Sequence, residues 1–166
     1  DLVGHALLAK LVPESDIMHK VSIIPRGMAL GLTWYRPKDE SVSIKRSKLI
    51  ARLVSALGGR AAEELIYGKD NITTGASQDI QTATQIARKM VTQWGMSEKM
   101  GNMTYGKSEE NVFLGRDFGH TRDFSEEIAA ELDKEVKSII DERYSLALQL
   151  LNENRDMLDT LSKELL

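Results

Sequence analysis

Apolar residues recur at helical spacing along most of this chain, and the pattern changes to alternation in one short region only. Val3, Ala6, Leu7 and Leu11 mark a first helix, which Pro13 ends at about Val12. Met18 to Ile24 reads as a strand, with Val21 and Ile23 on one face, and Pro25-Arg26-Gly27 as a turn. Leu30, Leu32 and Trp34 alternate with Gly31, Thr33 and Tyr35, which predicts a second strand, closed by Pro37-Lys38-Asp39-Glu40. A long helix is predicted from about Ser43 to Ile66, its apolar side formed by Leu49, Ile50, Leu53, Leu57, Ala61 and Leu65. Gly58-Gly59 inside it costs roughly 1 kcal/mol per Gly relative to Ala, so close approach of another element is expected there.

Ser77 is a candidate N-cap for the next helix, whose stripe is Ile80, Ala83, Ala87, Val91 and Trp94, with Gly95 as its stop. Residues 96–122 lack sustained periodicity, and Gly101, Gly106, Gly115 and Gly119 interrupt short apolar pieces there, marking the expected mobile region. Ser125 followed by Glu126-Glu127 opens a further helix with Ile128, Leu132, Val136, Ile139 and Ala147 inward. Asn152-Glu153-Asn154 breaks it, and Met157, Leu158, Leu161 and Leu165 mark a last helix. The sum is a mainly α fold with a small β-sheet between the first two long helices.

Composition narrows the reading. Aromatic residues are only 5%, so the core rests on Leu, Ile, Val, Ala and Met, which suits helix packing. A length of 166 residues fits one domain, 1–166. A formal charge of −3 gives no reason to expect nucleic acid as a partner. Without cysteine there are no disulfides and no thiolate metal ligands. No apolar run reaches the ~18–20 residues of a membrane span, so this stretch is expected to be soluble. No G-x-x-x-x-G-K-[ST] loop is present for ATP.

Four segments carry chemistry: Asp1-Leu2-Val3-Gly4-His5, His19-Lys20-Val21-Ser22-Ile23-Ile24-Pro25-Arg26-Gly27, Gly58-Gly59-Arg60-Ala61-Ala62-Glu63-Glu64, and Thr73-Thr74-Gly75-Ala76-Ser77-Gln78-Asp79. Together they resemble the peptidase domain of the FtsH-type ATP-dependent zinc metalloproteases, over nearly the whole chain from Gly4 to Leu166. That family reads H-E-A-G-H at the first site. In such a motif two imidazoles one helical turn apart share a zinc ion, and the Glu takes a proton from the metal-bound water. Here the first His position holds Asp1 and the Glu position holds Leu2, so His5 is the surviving imidazole. The match of residues 73–79 implies Asp79 as the carboxylate ligand. Asp1, at i−4 from His5, is a conceivable third donor. Glu63 and Glu64 compete with Asp79, but pairing of Arg60 with Glu64 on the helix surface is the plainer account of that pair. Leu2 accepts no proton, so this chain is expected to hydrolyse peptide bonds poorly or not at all. An altered or engineered end is the expected origin of the half-motif, because the downstream segments keep the family pattern.

Other candidates read as structural: His19 and His120 as solvated or hydrogen-bonded residues, Met90, Met96, Met100 and Met103 as packing, Lys45-Arg46 and Ser108-Glu109-Glu110 as solvated faces. The resemblance implies that the strand carrying Leu30, Gly31, Leu32 and Thr33 offers its edge to an extended substrate, which adds as a further strand with little sequence preference. The competing reading of that segment is an ordinary half-buried strand. The resemblance also implies a zincin-like helical protease working beneath an AAA+ ring on unfolded and membrane proteins. The ring is usually a hexamer, with the ATPase module and membrane anchor upstream and the protease on the cytoplasmic, matrix or stromal side. A further helix is expected after Leu166. The rival reading is a non-catalytic module that assembles such a ring or docks substrates while neighbours cut.

Overall fold

The computed structural model describes residues 1–24, 32–36, 43–106 and 124–166. At its centre is α2 (Arg46–Tyr67), the helix against which three of the others pack. Before it come α1 (Leu2–Leu11), β1 (Ile17–Ser22) and β2 (Leu32–Arg36); after it come α3 (Ser77–Thr92), α4 (Glu126–Glu153) and α5 (Arg155–Leu165). Two short 3-10 turns, Lys69–Asn71 and Thr74–Ala76, link α2 to α3. The fold is mainly α, with the two strands paired antiparallel.

The predicted helices are recovered, and the differences lie at their ends. Val12 caps α1 in an extended conformation, as a residue before proline must. Ser125 caps α4 through its side chain, which accepts from the Ile128 amide. Ser77, by contrast, is already helical in α3; the side-chain cap falls earlier, on Thr73, which accepts from the Gly75 amide. The strand expected to reach Ile24 stops at Ser22, leaving Ile23 and Ile24 exposed. Register shifts between Met18 and Lys20, so the exposed His19 falls at an irregularity of the ladder. The turn at Pro25-Arg26-Gly27, Leu30, Gly31, the segment 37–40, His120 and most of the aperiodic stretch lie outside the described residues.

Two apolar clusters share α2. Leu49, Leu53 and Leu57 meet Ala83, Ala87, Met90 and Val91 of α3 and Leu132, Val136 and Ile139 of α4. On the other flank Val54, Ala61 and Ala62 meet Leu7 and Leu8 of α1, Ala147 and Leu151 of α4 and Leu158 of α5. Burying each such Leu contributes about 1.5–3 kcal/mol, which outweighs the helix-breaking tendency of the two glycines. Two members of the predicted α3 stripe are not in the core: Ile80 is 37% exposed and Trp94 43%. Trp94 lies past the last helical residue, Thr92, and Met90 fills the inward position instead. In α5 only Leu158 is fully inward, while Met157 and Leu161 are exposed.

The glycines let α1 and α2 touch backbone to backbone. A Cβ on Gly4 would stand 2.4 Å from the Gly58 carbonyl oxygen and 2.7 Å from Ala62 Cβ. A Cβ on Gly58 would meet Leu8 Cδ1 at 2.8 Å and Gly4 O at 3.0 Å. The obstacle to a larger residue at Gly4 is backbone, which cannot swing aside. Gly4→Ala is therefore expected to destabilise the chain by about 1–3 kcal/mol in urea unfolding, despite the better helix propensity of alanine. An unchanged midpoint would mean that the crossing is looser than described.

Candidate metal centre

The close crossing of α1 over α2 decides where His5 points. With Gly4 seated on Gly58, the next side chain of α1 lies over Gly59, whose hypothetical Cβ would be 2.5 Å from His5 Nε2 and 3.1 Å from Cε1. The ring occupies the space that a side chain on Gly59 would need. Its Nδ1 is 2.8 Å from the backbone carbonyl of Ser55. A carbonyl only accepts, so Nδ1 carries the hydrogen and Nε2 faces outward. It faces Asp79, in the first turn of α3, with Nε2 3.2 Å from Oδ2.

That pair is held unequally. The His5 side chain is 13% exposed and that of Asp79 42%, so a seated imidazole meets a carboxylate open to solvent. A neutral Nε2 and an ionised carboxylate oxygen both present lone pairs. At 3.2 Å both lone pairs face the space between them, where a proton or a metal cation would sit. Two tetrahedral ligands, each ~2.0–2.1 Å from one dication, stand about 3.3 Å apart, so the observed separation needs almost no rearrangement. A donor on the second nitrogen to a backbone carbonyl is also the usual way to orient a metal-binding imidazole.

Asp1, the third predicted donor, has a different neighbour. Among the described residues no group of three His, Asp or Glu side chains is close enough to hold a metal. Asp1 turns instead toward the Thr73–Ala76 turn: a Cβ on Gly75 would lie 3.3 Å from its Oδ2. Of the three predicted donors, His5 and Asp79 stand within 3.2 Å of each other, while the Asp1 carboxylate lies beside Gly75. Glu63 and Glu64 are engaged elsewhere. Glu63 is 6% exposed and is bonded to Thr73 and Arg60, whereas Glu64 accepts from the Tyr144 hydroxyl on α4 and pairs with Lys69 at 3.7 Å. Arg60 pairs with Glu63 rather than with Glu64. Burial, with the bond to Glu64 second, pushes the Tyr144 hydroxyl well above its ordinary pKa, so it stays protonated and donating.

Clefts flank the pair on both sides. One, of about 510 Å³, is lined by Leu2, His5, Ala9, Thr33, Ala56, Asp79 and Ile86, with Ser15, Asp16 and Arg52 among its polar residues. The other, of about 820 Å³, runs from Asp1, Leu2 and Glu63 to the last turn of α5. Leu2 borders both. Of the predicted substrate segment, Thr33 lines the first cleft, and β2 carries Leu32 and Thr33 in the ladder with Ser22 and Val21. The Asp16 carboxylate, held between Lys48 Nζ and Arg52 Nε at 3.2 Å each, was not foreseen; Lys48 and Arg52 are one turn apart on α2, but Asp16 lies more than thirty residues before them.

A mainly helical domain thus seats an imidazole against a carboxylate beside an open cleft. The chain belongs to peptidase family M41, whose model matches residues 2–166. It is 50% identical over 163 residues to an ATP-dependent zinc metalloprotease FtsH 1 of Thermoanaerobacter sp., covering 98% of this chain and 26% of that protein. The ATP-dependent zinc metalloproteases FtsH of Synechococcus sp. and Photobacterium profundum are 48% and 49% identical, with the same coverage of this chain and 26% and 23% of theirs. The chain therefore spans about a quarter of the length of the curated relatives it matches. No helix among the described residues is long and apolar enough to cross a membrane.

Proposed function

We propose that this chain is the proteolytic domain of an ATP-dependent zinc metalloendopeptidase, with His5 Nε2 and Asp79 as two protein ligands of the metal. The observation that carries the reading is the 3.2 Å approach of an imidazole nitrogen to a carboxylate oxygen, made by residues on different helices and fixed by the Ser55 carbonyl. The nitrogen–oxygen donor set suits Zn²⁺. When bound, zinc supplies an activated water and polarises the scissile carbonyl. His5 holds its lone pair toward the site, and the Ser55 carbonyl keeps that tautomer in place. The first cleft, walled by Ala9, Ala56 and Ile86, accommodates substrate beside the pair, and β2, with Leu32 and Thr33, offers backbone groups to an extended chain. Leu2 stands at the position of the general base and moves no proton. The chain as it stands is consequently impaired in peptide hydrolysis.

The relatives' names support ATP dependence, and the family resemblance extends the proposal to an AAA+ module and membrane anchor in the same polypeptide, assembly as a hexamer, and degradation of unfolded and membrane proteins on the cytoplasmic, matrix or stromal side. A second reading is favoured by Leu2 and by the two-donor centre, namely a non-catalytic module that assembles a ring or docks substrates. Equilibrium dialysis against Zn²⁺ separates the two. Retained zinc that falls to background in Asp79→Asn and in His5→Ala supports the metalloprotease reading; no retained zinc in the parent chain overturns it and leaves the docking module.

A further inference from the structure

The segment that delivers Asp79 is anchored to α2 by every polar group of Thr73. Its amide donates to Glu63 Oε1 at 3.1 Å, its hydroxyl donates to the same oxygen at 2.6 Å, and its carbonyl accepts from Arg60 Nη2 at 2.8 Å. Arg60 Nη1 in turn reaches Glu63 Oε2 at 3.3 Å. The Thr73 hydroxyl also accepts from the Gly75 amide at 3.1 Å, which starts the 3-10 turn running directly into α3. Glu63 is a charged side chain only 6% exposed, and such a group persists in an interior only when it is fully paired. One of its oxygens takes both donors of Thr73, and the other takes Arg60, which itself holds the Thr73 carbonyl.

The location matters as much as the bonds. Ser55 and Gly59 of α2 seat the His5 ring, and Arg60 and Glu63, on the following turn of the same helix, hold Thr73. One rigid helix thereby sets the position of both members of the pair. Among the described residues the Asp79 carboxylate is held by His5 alone, and it is 42% exposed, so its position depends on the turn that precedes it.

We propose that Glu63 and Arg60 are positioning residues, which clamp Thr73 so that Asp79 meets His5 at metal-sharing distance. They touch neither metal nor substrate. This rests on His5 and Asp79 as metal ligands, and outer partners of that kind typically alter metal affinity ~10–100-fold.

The test compares the parent chain with Thr73→Val, which removes the hydroxyl at nearly constant shape, Thr73→Ser, which retains it, and Arg60→Gln, which removes the donor to the Thr73 carbonyl. Zinc affinity is measured by titration calorimetry, and the nuclear Overhauser contact between the His5 ring and the Asp79 methylene is recorded without metal. Thr73→Val and Arg60→Gln are expected to lose the contact and bind zinc ~10–100-fold more weakly, while Thr73→Ser stays near the parent. Weak zinc binding with the contact intact, or a parent-like Thr73→Val in both readouts, overturns the clamp. Should the parent bind no zinc, the metal reading fails, and the clamp stands or falls on the His5–Asp79 contact alone. Should one of the two disruptive variants fail to fold, the other decides.

Discussion

Restoring Asp1→His and Leu2→Glu together is expected to turn a chain that cleaves casein slowly or not at all into one that cleaves it and is stopped by a chelator. Both changes act on the half of the centre that the structure lacks. The new imidazole stands at the N-cap of α1, four residues before His5, and is expected to supply a third donor beside His5 and Asp79. The new carboxylate replaces a side chain that already borders both clefts at the pair. A general base alone contributes ~10²–10⁴ in rate. The third ligand adds to this by raising metal occupancy, so the double variant should exceed either single one by more than their product. Comparable chelator-sensitive cleavage by the parent chain would contradict the assignment of Leu2.

Gly59→Ala is expected to abolish zinc retention while leaving the fold nearly as stable as before. The two effects have opposite signs and are separable. Alanine in a helix interior is favoured over glycine by roughly 1 kcal/mol. The added Cβ would meet the far edge of the His5 ring, 2.5 Å from Nε2, and not backbone. A ring edge can rotate away at small cost, so stability changes little. The rotation, however, takes Nδ1 from the Ser55 carbonyl and Nε2 from Asp79, and the centre loses its seated donor. Gly4→Ala differs because its obstacle is the Gly58 carbonyl, which cannot rotate. Thermal melts should therefore separate the two variants, with Gly59→Ala near the parent and Gly4→Ala destabilised, while zinc dialysis reads the loss in Gly59→Ala. Normal zinc retention in Gly59→Ala would show that the ring does not lie over that glycine.

The helices were legible because burial repeats every third or fourth residue, as at Leu49, Leu53 and Leu57 or Leu132, Val136 and Ile139. The value of Gly58-Gly59 was legible too, since two glycines in a helix interior need a partner that approaches closely, and α1 is that partner. Periodicity failed where a helix runs past its neighbours: Ile80 and Trp94 continue the α3 spacing with no core to enter. At the site, the residues that the family pattern marks, His5 and Asp79, are the ones the fold brings together. What could not be read were the interactions made by backbone. The Ser55 carbonyl that sets the His5 tautomer and the Thr73 peptide groups held by Arg60 and Glu63 leave no mark in side-chain spacing. For the same reason Glu64 looked the better partner for Arg60, because helix-surface spacing ignores a loop that draws Arg60 and Glu63 to itself.

The most direct measurement is the anomalous scattering, at the zinc edge, of crystals of this chain soaked in excess zinc salt. The expected result is one strong peak on the solvent side of His5, ~2.0–2.1 Å from Nε2 and in bonding contact with the Asp79 carboxylate, with Nδ1 still on the Ser55 carbonyl. A map with no peak between those two side chains, or with zinc bound only at other carboxylates, would contradict the account.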